Sequence, residues 1–147
     1  MKLYELIELG STHVVEEHNC YLGERKIPIA SLMGETVLFR QETCGCALGT
    51  AAFAAGMKEA DFFVMTVHRT IIDHVPHAKE PVTCPECMKT GQLLVIAEHL
   101  HLSGHNWPRQ RIAEWLKPIE DSLEQKRQEE EAATKPVAME TQNAANK

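Results

Sequence analysis

The chain has 147 residues, a size that suits one domain and that buries about 68–70% of the unfolded surface without needing staples. Apolar residues make up 44% and aromatics only 5%, so aliphatic side chains must build the core, which favours packed helices. Fifteen basic residues against 21 acidic ones give a net charge of −6, without the basic domain typical of nucleic-acid binders.

The opening MKLYELIELGSTHVVEEH lacks the uninterrupted apolar stretch of a secretory signal. No segment reaches the roughly 18 apolar residues that a membrane span requires. A cytoplasmic protein without membrane contact is expected. In that compartment cysteines stay reduced, and close pairs point to metal or thiol chemistry before disulfides.

Leu3, Leu6, Ile7 and Val14 recur at helical spacing, with Gly10 and Ser11 on the intervening turn; this predicts an amphipathic helix over about 2–18, broken near Gly10. KIPIASLMGETVLFRQ, with Pro28 and a turn at Gly34-Glu35, reads as two short strands. CGCALGTAAFAAG reads as a small-residue helix with Gly56 as its C-cap. DFFVMTVHRTIIDHV is apolar almost all round, as in a helix crossing the core, and Pro76 and Pro81 bracket the following loop.

GQLLVIAEHLHL predicts a third major helix closed by Ser103-Gly104. Asn106 then caps a further helix with Trp107 and Pro108 in its first turn. Ile112, Trp115, Leu116, Ile119 and Leu123 form its apolar stripe. The expected fold is mainly α with a small β element, as one globular domain over 1–124. From Ile119 to the end, seven acids face four bases, and beyond Gln125 little remains to bury; 125–147 reads as a disordered acidic tail.

The strongest chemical signal is CPECMKTGQLLVIAEHLHLSGH, from Cys84 to His105. Zinc takes four soft or borderline ligands in a tetrahedron, and two cysteines two residues apart reach one ion from a tight turn. Cys84, Cys87, His99 and His105 give C-x2-C-x11-H-x5-H, a zinc-finger-like pattern. His99 projects from the third helix, and Gly104 lets the chain bend so that His105 returns. His101 competes for the fourth position but points to another helix face. A closed Cys2His2 set leaves no place for water, so one structural zinc is expected, without catalysis.

The same residues carry a resemblance. CPEC…EHL…GHNWPRQRIAEWL, preceded by CALGTAAFAAG and KLYELIELG, resembles a group of small proteins encoded by bacteriophages and prophages. It covers roughly 2–120 and is most specific from Cys84 to Leu116. The resemblance implies zinc at Cys84, Cys87, His99 and His105 and a bacterial host cytoplasm, and it implies no activity. His101 departs from the asparagine expected there, and the acidic tail lies outside the pattern.

Other clusters read more plainly. Cys44 and Cys46 are spaced more tightly than most zinc turns use, and a cysteine opening an alanine-rich helix behaves as a small apolar group. His68, Asp73, His74 and His77 have the chemistry of a hydrolytic metal site. Yet His68 and His74 face roughly 120° apart on a helix. Trp107, Arg109 and Arg111 follow the zinc pattern directly and are the expected partner-binding residues. Arginine makes paired hydrogen bonds to carboxylates, which favours a protein partner. Over 82–118, the zinc-finger-like part, four bases meet three acids, so DNA or RNA binding through this second helix is the alternative. A metal-dependent hydrolase is the third reading.

Overall fold

A computed structural model describes residues 1–18, 22–57, 64–102 and 104–135. In chain order these form α1 (Leu3–Ser11), β1 (Val15–Glu16), β2 (Leu22–Leu32), β3 (Glu35–Gly45), α2 (Ala47–Ala54), α3 (Val64–His74), β4 (Pro81–Thr83), β5 (Thr90–Gln92), α4 (Leu93–Leu102) and α5 (Arg109–Thr134). The described chain is mainly helical, with a three-stranded sheet ordered β1-β3-β2 and a two-stranded sheet of β4 and β5. None of the described helices is long and apolar enough to cross a membrane.

The first helix is shorter than its apolar spacing predicts. Leu3, Leu6 and Ile7 are fully buried, but the chain turns after Ser11, where the His13 and Val14 amides both donate to the Gly10 carbonyl. Val14 is buried from outside the helix, and β1 then runs parallel to β3, pairing Val15 with Cys44. The expected short strands are instead 11 residues each, joined through Met33 and Gly34, both at positive φ (52° and 83°). A two-residue connection of that handedness matches the twist of an antiparallel pair. The register shifts between Pro28 and Ser31, where proline has no amide to give to the ladder.

Helix α2 is the centre of the core. Ala47, Leu48, Gly49, Thr50, Ala51 and Ala52 are all buried, and α1 packs closely across them. That approach needs Gly10. A Cβ there would lie 2.2 Å from the Thr50 carbonyl oxygen, a backbone atom that cannot retreat. Gly10→Ala should therefore destabilise by about 1–3 kcal/mol or more through overpacking, outweighing the gain of up to ~1 kcal/mol in helix propensity. Chemical denaturation is the check, and a variant as stable as the parent would show that the two helices can separate without cost.

Helix α3 is amphipathic rather than apolar all round. Val67 and Ile71 face the core, while Met65 is 78% exposed and Arg69, Asp73 and His74 are also exposed. Asp61, Phe62 and Phe63, which the sequence reading placed in this helix, lie outside the described residues. Helix α4 buries Leu93, Leu94, Ile96, Ala97 and Leu100.

Asn106 does not cap α5. It sits in the left-handed region (φ 51°), and Pro108 is the N-cap. The Trp107 amide donates to the Leu100 carbonyl, so the chain must turn back before a helix can begin. The cap comes from elsewhere: the Glu16 carboxylate accepts the Arg109 amide at 2.5 Å. Helix α5 then runs through Pro118 to Thr134, ten residues into the segment 125–147 expected to be disordered; 136–147 of that segment lie outside the described residues. Those ten are all exposed. Near the middle of α5 Glu120, fully buried, accepts the Leu3 and Tyr4 amides at 2.7 and 3.0 Å and so anchors α1 to α5.

Candidate metal centre

Strands β4 and β5 form a short hairpin whose connecting turn is the Cys84–Cys87 segment. The Cys84 amide donates to the Lys89 carbonyl and the Met88 amide to the Cys84 carbonyl, with Met88 at φ 62°. Both cysteines are thereby held at the turn. Helix α4 follows at once and carries His99 near its end. Gly104 (φ 88°) bends the chain back and delivers His105.

The donor atoms of Cys84, Cys87, His99 and His105 all lie within 4.8 Å of one another. Cys87 Sγ is 3.1 Å from His99 Nε2, His99 Nε2 is 3.0 Å from His105 Nε2, and Cys84 Sγ is 3.8 Å from His105 Nε2. Zinc bonds of about 2.0–2.3 Å in a tetrahedron imply ligand–ligand edges of roughly 3.3–3.8 Å. The observed edges fit that range to within a few tenths of an ångström. The two imidazole rings stand at 82° to each other, so their lone pairs can converge without the rings clashing.

Local electrostatics suit a cation. Burial pushes the Cys84 thiol up, but backbone hydrogen bonding at Cys87 and Glu86, with the Cys87 side chain, outweighs it and leaves the thiol below its ordinary value. Burial, reinforced by His105 and Lys89, pushes the His99 imidazole down. Thiolate and neutral imidazole are the forms that bind metal. The four groups can hold a divalent ion such as zinc.

His101 is not among these four. Its ring is buried on the opposite side, 1% exposed, with Nδ1 2.8 Å from the Trp107 carbonyl. Glu16, His18 and His101 form a second group with donor atoms within 4.8 Å of one another. Nothing local in the sequence marks it, apart from an E-x-H alternation in VVEEH that puts Glu16 and His18 on one side of an extended strand.

Two of the residues expected at a presented surface are engaged inside the molecule. Trp107 is buried, its Nε1–H donating to Glu86 at 3.1 Å and its ring meeting Trp115 edge-on. Arg109 donates to the Thr50 hydroxyl (3.2 Å) and the Ser11 carbonyl (3.3 Å). Arg109 is drawn inward where the start of α5 meets α1 and α2, and Trp107 where the chain folds back onto the end of α4. Arg111 stays at the surface with 54% of its side chain exposed, stacked 3.8 Å above the Trp107 ring and 3.5 Å from Glu86. Glu86 thus ties the cysteine turn to α5 through Arg111 and to the segment before it through Trp107.

The histidines of α3 are not gathered into a site. His68 pairs with Glu98 of α4 at 2.6 Å, the His74 ring bonds to the Thr70 carbonyl of its own helix, and Asp73 is exposed. His77 is paired with Glu124, whose carboxyl is held down at about 2 by His77 and then Arg127. Cys44 and Cys46 are buried, and the Cys46 sulfur accepts the Gly49 amide as the N-cap of α2. No family model, curated protein or solved structure matches the chain.

Proposed function

We propose that the chain is a non-enzymatic, zinc-stabilised binding module that acts on a protein partner. One zinc on Cys84, Cys87, His99 and His105 holds a zinc-finger-like hairpin and helix together. The convergence of exactly two thiols and two imidazoles carries this reading, because four protein ligands leave no position for a reacting water. The bacteriophage-type resemblance of the same residues suggests the cytoplasm of a bacterial host as the place of action.

The surface this reading assigns to the partner is the outer rim of the metal turn, Glu86, Met88 and Lys89, together with Arg111, all exposed. A protein is favoured over nucleic acid because Arg109 is spent on internal contacts and Arg111 lies beside Glu86. Lys89 is left as the main base on this face, few cations with which to displace counterions from a phosphate backbone.

Cobalt substitution tests the closed site. The sulfur-to-cobalt charge-transfer band of the Cys84–Cys87 centre should not change on adding azide. A shift would reveal an exchangeable position and restore a catalytic reading. Duplex DNA at low salt supplies the second arm: binding that weakens steeply between about 50 and 200 mM salt would replace the protein partner with nucleic acid.

A further inference from the structure

Glu16 ends β1, His18 follows two residues later, and His101 reaches them from the last turn of α4. We propose that these three side chains form a second divalent-cation site, separate from the Cys84–His105 centre and independent of the function proposed for it.

Two observations carry it. The first is convergence, since the three donor atoms lie within 4.8 Å of one another and come from two distant parts of the chain. The second is a pair of orphaned nitrogens. His18 Nδ1 and His101 Nε2 are both buried, and neither has a hydrogen-bond partner among the described residues. A buried polar group without a partner is costly, and such groups in folded proteins call for an explanation such as a bound ion. Here two of them share one locus with a carboxylate.

The tautomer is also set for ligation. His101 Nδ1 lies 2.8 Å from the Trp107 carbonyl oxygen. That oxygen can only accept, so Nδ1 carries the proton and Nε2 keeps its lone pair. A ligand histidine oriented by a backbone carbonyl through its other nitrogen is the usual arrangement behind metal sites. The Glu16 carboxylate supplies negative charge, and accepting the Arg109 amide orients it.

The His18 and His101 rings stack at 4.1 Å and 15°, so a shared ion requires His18 to rotate until the two lone pairs converge. His101 is fixed in the core, and His18 is the ligand that adjusts. Two imidazoles and a carboxylate select a borderline first-row cation such as zinc. Three protein ligands leave a fourth position open. Glu16 also lines surface grooves that it shares with Ser11 and Arg109. The ion there is exchangeable, unlike one enclosed by four ligands.

The test is cobalt and zinc stoichiometry of the tag-free full chain by equilibrium dialysis, with the sulfur-to-cobalt band recorded in parallel. The parent should bind two equivalents, only one of which builds the thiolate band. His18→Gln should bind one, with that band intact. Glu16→Gln, which keeps an acceptor for the Arg109 amide, should weaken the second equivalent at least tenfold; it decides the matter if His18→Gln fails to fold. A parent whose only bound equivalent builds the thiolate band, or a folded His18→Gln that binds as many equivalents as the parent, would overturn the proposal; a single equivalent without that band, lost in His18→Gln, would instead remove the Cys84–His105 centre and leave this site standing.

Discussion

Cys84→Ser is expected to lose its zinc and to fall in stability by more than about 4 kcal/mol, the range in which loss of a metal belongs. Cys84 is fully buried at the foot of the β4–β5 hairpin, and its sulfur is one corner of the four-donor cluster. Without an ion, two thiols and two imidazoles crowd within 4.8 Å, and the hairpin turn is tied to the end of α4 only indirectly, through Trp107, which bonds to both Glu86 and Leu100. Structural zinc contributes an apparent ~10–16 kcal/mol in isolated finger peptides. The loss here is smaller, because Leu93, Leu94, Ile96 and Leu100 keep α4 against the common core without the metal. Cys87→Ser separates the two causes, since Cys87 is exposed and its replacement disturbs the ligand set but not the core. Both variants, and the parent with a strong chelator, should melt well below the zinc-loaded parent. Zinc content and melting temperature measured on the same samples provide the check. A Cys84→Ser protein that retains zinc and melts with the parent would remove the metal from the account of stability.

The second large effect falls on Glu120. The Leu3 and Tyr4 amides open α1 and have no partner within that helix; the buried Glu120 carboxylate takes both. Glu120→Ala leaves two buried donors unpaired at about 1–3 kcal/mol each, for a loss of roughly 2–6 kcal/mol. Glu120→Gln keeps an acceptor oxygen and should cost less.

The pH dependence tells the two roles of the carboxyl apart. Burial pushes its pKa up, against the pull of the two amides and His77, so the folded value stands above the unfolded one. The folded state then holds the proton more tightly. Its contribution is complete below the unfolded pKa and is lost as pH rises through the folded pKa. The stability gap between the parent and Glu120→Gln should therefore narrow as pH climbs above the ordinary carboxylate range. A gap that widens with pH would mean that the ionised form is the one favoured by folding.

What the sequence discloses here depends on how far apart the cooperating residues lie. The cluster of Cys84, Cys87, His99 and His105 is legible because a turn and one helix bring four candidate ligands together over 22 residues, and their spacing reflects that geometry. The Glu16 cap on α5 acts across 93 residues, and the Glu120 contact to α1 across 117, so no local pattern announces either. Asn106 looks like a cap by residue type, yet the inward pull of Trp107 moves the helix start beyond it.

Helix α3 illustrates a different limit. Met65 counts as apolar in a periodicity reading, whereas the fold leaves it in water. Over 125–134 the sparse apolar content suggested disorder, but the helix persists there with side-chain pairs one turn apart. Arg127 bonds to Glu124 at 2.8 Å and Gln125 to Glu129 at 3.0 Å, the kind of pairing that supports an exposed helix without burial.

X-ray absorption at the zinc edge, on the full chain loaded with one equivalent of zinc, tests the central claim most directly. The expected first shell is two sulfurs at about 2.3 Å and two imidazole nitrogens at about 2.0–2.1 Å. A shell of nitrogen and oxygen alone, or an added light-atom ligand from water, would contradict a closed structural centre at Cys84, Cys87, His99 and His105.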